Sequence, residues 1–183
     1  IDPVGVSGSS YRREKCLELM KIIHPTCIRG NYSEIQALLH NCGTVTGVDA
    51  AEDALAEAEE TDLPELMKQY AKENQMILVA SGETDLITDE SCVYRCHNGS
   101  PMMARITGSG CMSTVMLGAF LSAENSVESA VACCAFTGIA GELAAKEMTA
   151  QKRGTMTFRN WFIDAVSLMT PEQLEHGTDV DWF

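Results

Sequence analysis

Positive charge is scarce in this sequence: 13 Lys and Arg stand against 26 Asp and Glu, for a formal net charge of −13. Phosphate backbones are bound by an excess of Lys and Arg, so nucleic acid is excluded as a partner. Anionic membrane surfaces are excluded on the same ground. Long apolar runs are missing too. Glu124, Asn125, Glu128 and Glu142 interrupt the longest apolar region, Met116 to Ala145. No stretch of eighteen uncharged apolar residues remains, and a membrane span is excluded. There is no initiating Met and no visible secretory signal. Ile1-Asp2-Pro3-Val4-Gly5 reads as the end of a buried strand, so the chain is expected to begin inside a longer protein. Among 8 Cys and 4 His there is neither Cys-x-x-Cys nor His-x3-His, and the Cys92/Cys96 pair has no matching second half. These spacings give no zinc site. Most of the cysteines sit in apolar or helical contexts, where a free thiol behaves as a small hydrophobe, and a reduced, cytoplasmic protein is expected. No linker, repeat or low-complexity segment appears, so a single domain over residues 1–183 is expected.

What is present is an ordinary globular composition, 45% apolar and 21% charged. Cys16, Leu19, Met20 and Ile23 recur at helical spacing within Arg12 to Ile23, and Pro25 stops that helix. Thr26 to Ile28 predicts a short strand leading into Arg29-Gly30-Asn31. Ser33 is a candidate cap for a helix to about Leu39. Asn41 to Gly47 reads as a connection, and Ala50 to Glu60 as a solvated helical segment. Thr61 and Asp62 offer a fresh cap, with Pro64 tolerated in the first turn of a helix to about Glu73. Met76 to Ala80 is a continuous apolar run, the pattern of a fully buried parallel strand. Asp85 to Thr88 and Cys92 to His97 read as a hairpin across Asp89-Glu90. Three helices follow, Met112 to Ala123, Ser126 to Met148 and Thr157 to Met169, and then a polar tail from Thr170 to Phe183. Strands alternating with helices imply an α/β sheet with helices on both faces.

Three loops carry chemistry. Thr107-Gly108-Ser109-Gly110-Cys111 is a Gly-rich turn opening an apolar helix. Gly lets the backbone approach a ligand, and the free N–H groups and dipole of a helix start favour an anion. A tight turn without a ligand fits the same residues. Cys111 falls in the first helical turn, where the dipole stabilises a thiolate. It is either a base or polar contact for a substrate hydroxyl, or a small residue filling a gap. Arg29-Gly30-Asn31-Tyr32-Ser33-Glu34 marks a strand-to-helix junction. Asn31 and Glu34 share a helical face, and oxygen ligands of this kind suit Mg2+, with Arg29 available to a nucleotide phosphate. An ordinary helix start with a first-turn Glu fits equally. Asp2, at a strand's C-terminal end, lies beside the same expected crevice, since ligands of open α/β sheets bind at those ends. Ser81-Gly82-Glu83 follows the buried strand and fits either nucleotide contact or a turn.

The order of these motifs resembles the hydroxyethylthiazole kinase family: Ile-Asp-Pro-Val-Gly at the start, Ile-Arg-Gly-Asn-x-x-Glu, Ser-Gly-Glu-x-Asp, Thr-Gly-Ser-Gly-Cys, and the late Gly-Thr-Met-Thr-Phe-Arg. The resemblance covers nearly the whole chain. Most ribokinase-like enzymes carry Asp where this sequence has Cys111, and Cys there points to the thiazole branch. The resemblance implies a ribokinase-like three-layer α/β/α fold with a mostly parallel sheet. It implies ATP- and Mg2+-dependent phosphorylation of the primary hydroxyl of 4-methyl-5-(2-hydroxyethyl)thiazole in thiamine biosynthesis and salvage. It implies Arg29, Ser81 and Asn31 as ATP-binding residues, with Ser81 in a place that is often Thr. Gly108 is implied as a substrate contact, Glu34 and Asp2 as metal-side residues, and Ser109, Gly110 and Cys111 as catalytic, Cys111 in the place of the base. It also implies a homotrimer with sites between subunits. Family members carry a segment before Ile-Asp-Pro-Val-Gly with early strands and part of the thiazole pocket. Those N-terminal strands are therefore expected to be missing here, leaving an incomplete substrate site and poor folding of the polypeptide alone. Rival readings are another ribokinase-like enzyme, such as hydroxymethylpyrimidine kinase or a nicotinamide-nucleotide-hydrate dehydratase, both opposed by Cys111. A non-catalytic nucleotide-binding or assembly protein and a redox or metal protein built on the cysteines are the others.

Overall fold

The computed structural model describes residues 1–42 and 63–183. The expected connection after Asn41, the helical segment Ala50 to Glu60 and the cap at Thr61 and Asp62 lie outside these residues, apart from Asn41 and Cys42.

The sheet has five strands in the order β1 to β5: Cys27–Asn31, Ile77–Ser81, Asp85–Thr88, Val93–Cys96 and Val180–Trp182. β1 and β2 are parallel, with Asn31 opposite Ser81 at their C-terminal ends. The three remaining pairings are antiparallel. The expected α/β class is therefore found, but within the described residues the sheet is not mostly parallel. The cause is loop length. Only Gly82 to Thr84 separate β2 from β3, and Asp89 to Cys92 separate β3 from β4. Connections so short return the chain alongside itself, whereas parallel neighbours need a long crossover. Ile1 adds to the free side of β1. Its amino group donates to the Cys27 carbonyl at 2.8 Å, and its carbonyl accepts from Arg29 N–H at 2.9 Å.

Side chains alternate between two faces, as period 2 requires. Ile28, Leu78, Ala80, Leu86 and Val93 enter a core with α1 (Ser10–Ile23), α2 (Tyr32–Cys42) and α3 (Leu63–Asn74). Cys27, Ile77, Val79, Ile87 and Cys96 enter the other, with α4 (Ser109–Ala123) and α5 (Val127–Ala150). A third cluster, centred on the fully buried Phe158 and Phe162, joins α5 to α6 (Thr155–Leu168). Truncating either Phe would leave a cavity costing about 3–5 kcal/mol.

α5 is long and apolar enough, by length and composition, to cross a membrane, contrary to the expectation from the interrupting charges. Of its most apolar window, 61% is buried inside the fold. Its small residues serve close packing. A Cβ on Gly138 would fall 2.5 Å from the backbone of Asn98, so only glycine admits that loop against the helix.

Two boundaries moved. β1 runs through Arg29, Gly30 and Asn31 rather than ending at Ile28, because pairing with β2 outweighs the turn propensity of Gly-Asn. α4 starts at Ser109, so Ser109, Gly110 and Cys111 are its first helical residues and only Thr107 and Gly108 form the turn. The tail also carries more structure than its polarity suggested. α7 (Pro171–Gly177) opens on a capping box between Thr170 and Gln173 with Pro171 in the first turn. β5 then closes the sheet edge, with Trp182 against Tyr94 at 6.4 Å between ring centroids.

Candidate active site

A cavity of about 740 Å³ opens at the C-terminal ends of β1 and β2. Arg29 and Ser81 stand on its strand side, Ser109, Gly110, Ser113 and Leu117 come from α4, and Cys133, Cys134, Thr137 and Gly138 come from α5. The loop from His97 to Pro101 forms a further wall. Asn98 fastens that wall. Its Nδ2 donates to Glu142 Oε1 at 3.1 Å and to the Gly177 carbonyl at 2.8 Å, and its Oδ1 accepts from Asp179 N–H at 2.8 Å.

The start of α4 is open for a ligand. Gly108 is the N-cap, with φ at +95°, and no side chain caps the helix. Such a φ favours glycine. The first helical bond runs from Met112 N–H to the Gly108 carbonyl at 2.9 Å. The N–H groups of Ser109, Gly110 and Cys111 have no acceptor among the described residues, and the first turn holds no acidic residue. The Ser109 hydroxyl is turned away, donating to the Met103 carbonyl at 2.8 Å. What Ser109 offers the cavity is therefore its backbone.

Arg29 faces this helix start. Its Nη1 donates to the Gly110 carbonyl at 3.2 Å and to Thr114 Oγ1 at 3.3 Å. Both acceptors are uncharged, and among the described residues no carboxylate lies within ion-pair distance of Arg29. A half-buried guanidinium without a paired carboxylate, beside free helix N–H groups, has the chemistry to bind a phosphate. Ser81, on the cavity wall, donates its Oγ proton to the Gly30 carbonyl at 3.2 Å, so toward a ligand the hydroxyl can act only as an acceptor. Asp85, at the start of β3, accepts from Gly82 N–H at 3.0 Å and shapes the turn after Ser81. Burial pushes the Asp85 carboxyl above its ordinary value, against the opposing pull of that N–H and of Arg29. Burial likewise pushes the Cys133 thiol up to about 11 and Cys134 well above its ordinary value, so both are packing residues rather than nucleophiles.

Asn31 and Glu34 are brought together as a cap. Asn31 Oδ1 accepts from Glu34 N–H at 2.9 Å and from Ser33 Oγ at 2.8 Å, while Glu34 Oε2 accepts from Asn31 N–H at 2.9 Å. Glu34 Oε1 accepts from Gly5 N–H at 2.8 Å. This is a capping box, and it places the cap at Asn31 rather than Ser33. Asp2 Oδ2 accepts from Thr114 Oγ1 at 2.7 Å. Among the described residues no group of three or more His, Cys, Asp or Glu is arranged to hold a metal ion. Asp2 and Glu34 fit Mg2+ only in its usual nucleotide form, with water and phosphate oxygens filling most of the shell.

Cys111 is exposed and stands outside the cavity wall, as do Gly108, Asn31, Glu34 and Asp2. Sequence reasoning passed over Thr114 and Asp85. Thr114 follows Gly110 by one helical turn, which i,i+4 spacing would have flagged, and Asp85 ends the Ser-Gly-Glu-x-Asp motif, which is read for nucleotide contact or a turn at Ser81 to Glu83 alone.

The profile of the hydroxyethylthiazole kinase family matches residues 1–172. The chain belongs to that family. The hydroxyethylthiazole kinase of Clostridium acetobutylicum is 35% identical over 178 residues, covering 96% of this chain and 65% of that protein. Hydroxyethylthiazole kinase 1 of Methanosphaera stadtmanae is 38% identical over 174 residues, covering 91% of this chain and 61% of that protein. The solved hydroxyethylthiazole kinase of Pyrococcus horikoshii OT3 superposes with a TM-score of 0.79 at 25% identity, over 100% of this chain and 64% of that one. The chain thus spans somewhat less than two thirds of the hydroxyethylthiazole kinases it matches, over which its ribokinase-like α/β fold is shared.

Proposed function

We propose that the chain forms the nucleotide-binding and phosphoryl-transfer portion of a hydroxyethylthiazole kinase, as part of one kinase domain. The observation that carries this reading is the pairing of Arg29 with the uncapped start of α4 across one cavity. ATP is the co-substrate and the primary hydroxyl of 4-methyl-5-(2-hydroxyethyl)thiazole the acceptor. Arg29 binds phosphate, with Ser81 and Asn31 at the neighbouring strand ends. The amides of Ser109 and Gly110 gather charge on the transferred group, a task of positioning and electrostatics. Asp2 and Glu34 would hold Mg2+ through its water shell, and the ion would supply charge neutralisation of the nucleotide.

In the transfer, the alcohol oxygen bonds to the γ-phosphorus, the bridging P–O bond breaks, and ADP leaves. Gly108 lies where the alcohol approaches, and Cys111 takes the hydroxyl proton. Its exposure supports access from outside the nucleotide cavity, as a site shared between subunits of a trimer requires. The seven described free thiols support a reducing, cytoplasmic setting.

The test is ADP release by the purified complete protein containing this chain, with and without the thiazole alcohol. Release dependent on the alcohol is expected. Alcohol-independent release, or none despite ATP binding, favours a non-catalytic nucleotide-binding protein. Cys111→Ser is expected to lower kcat by about 100-fold or more with little change in KM for ATP. If Cys111→Ser and Cys111→Asp both keep full turnover, the proton-acceptor role is wrong.

A further inference from the structure

Thr114 sits one turn into α4 and touches three parts of the site through a single hydroxyl. Asp2 Oδ2 lies 2.7 Å from its Oγ1, the Gly110 carbonyl 3.1 Å, and Arg29 Nη1 3.3 Å. A hydroxyl has one proton and two lone pairs. The shorter, charge-assisted contact takes the proton, so Thr114 donates to the Asp2 carboxylate. The guanidinium cannot accept, so it donates to a Thr114 lone pair. The result is a directed chain from Arg29 through Thr114 to Asp2. It connects a cation on β1, the segment beside β1 and the anion-binding helix.

We propose that Thr114 is a positioning residue that sets Arg29 and Asp2 together for the nucleotide, an inference that rests on the kinase reading above. The chain lets Asp2 orient Arg29 without an ion pair. A direct carboxylate–guanidinium pair would occupy the fork that a phosphate needs. The intervening hydroxyl holds one nitrogen and leaves the rest of the guanidinium to the ligand. It also ties that geometry to α4, because the same Nη1 reaches the Gly110 carbonyl. The three elements then respond to a nucleotide as one unit.

The experiment is calorimetric titration of ATP, with Mg2+ and with EDTA, into the purified complete protein and into its Thr114→Val and Thr114→Ser variants. Val keeps the shape and removes the hydroxyl; Ser keeps the hydroxyl. Thr114→Val is expected to weaken ATP binding about tenfold, and Thr114→Ser to stay within about twofold of wild type. Asp2→Ala combined with Thr114→Val is expected to weaken binding by clearly less than the product of the two single effects, because both break one chain. Should Thr114→Val fail to fold, Thr114→Ala replaces it in the same titrations and the same cycle. Wild-type affinity in the hydroxyl-free variant, loss in Thr114→Ser equal to that in Val, or strictly multiplicative effects with Asp2 would each overturn the role of Thr114. A wild-type protein that binds no ATP would instead overturn the kinase reading.

Discussion

The starts of α2 and α4 make an instructive pair. Both lie at the end of the sheet where β1 and β2 finish, and both have exposed first-turn amides to satisfy. In α2 the protein satisfies them itself. Asn31 and Glu34 cap each other, and the second oxygen of Glu34 reaches across to Gly5. In α4 the cap is a glycine with φ at +95°, there is no acid in the first turn, and the amides are left open beside Arg29. Cys111 holds the third helical position of α4, the place Glu34 holds in α2. One helix end is closed by its own carboxylate; the other is left open, where the free amides and the dipole favour negative charge.

The sharpest way to break this contrast is at Arg29. Arg29→Gln removes the only Lys or Arg on the cavity wall among the described residues. It is expected to lower kcat/KM for ATP by about 100-fold, the loss of one or two charge-assisted hydrogen bonds. Steady-state kinetics with ATP varied checks it. If α4 alone provides the anion site, the loss will be much smaller.

Glu34→Gln tests the closed end. One charge-assisted acceptor is lost and the protein is expected to be destabilised by about 1–3 kcal/mol, read from urea denaturation. Its Mg2+ titration is expected to shift less than that of Asp2→Asn. A large Mg2+ shift with unchanged stability would make Glu34 a metal residue first and a cap second.

Gly110→Ala separates folding from binding at the open end. The added Cβ would meet only Arg29 Nη1, at 3.8 Å. Helix propensity is expected to raise stability by up to about 1 kcal/mol, while the methyl raises KM for ATP several-fold. Denaturation and kinetics on the same preparation read both.

Asp85→Asn carries the smallest effect, visible through pH. The folded protein holds this carboxyl above its ordinary value of about 4. The native state therefore binds more protons than the unfolded chain between the ordinary and the raised value. Stability contributed by Asp85 is full below that ordinary value and falls as pH rises toward the raised one. Denaturation of wild type and Asp85→Asn at pH 4 and pH 7 is expected to show the variant gaining on wild type at the higher pH.

Much of this was legible in the chain itself. The apolar run Met76 to Ala80 spells a buried strand, and Ser126 to Met148 reads as a long helix, found at Val127–Ala150. Arg29 and Gly110, 81 positions apart, were both singled out for strand-to-helix or turn-to-helix chemistry and do meet in space. What could not be read was who satisfies whom. Asn31-x-x-Glu34 spells a capping box and a metal motif with the same letters, and only the observed bonds to Asn31 and Gly5 show the cap. Thr114 went unread although Gly110 is its i−4 neighbour, because its other partners, Arg29 and Asp2, are distant in sequence. β5 is three residues long, too short for alternation to stand out from a polar tail.

The bond from Asn98 to the tail reaches beyond anchoring. Trp182 lies in β5, three residues after Asp179, which Asn98 Oδ1 holds, and its ring rests against Tyr94 while remaining largely exposed. The protein thus contains an intrinsic fluorophore mechanically linked to the wall of its cavity. Any event that loosens the His97 to Pro101 wall should register in the emission of Trp182, with the tryptophan of α6, Trp161, serving as the internal reference.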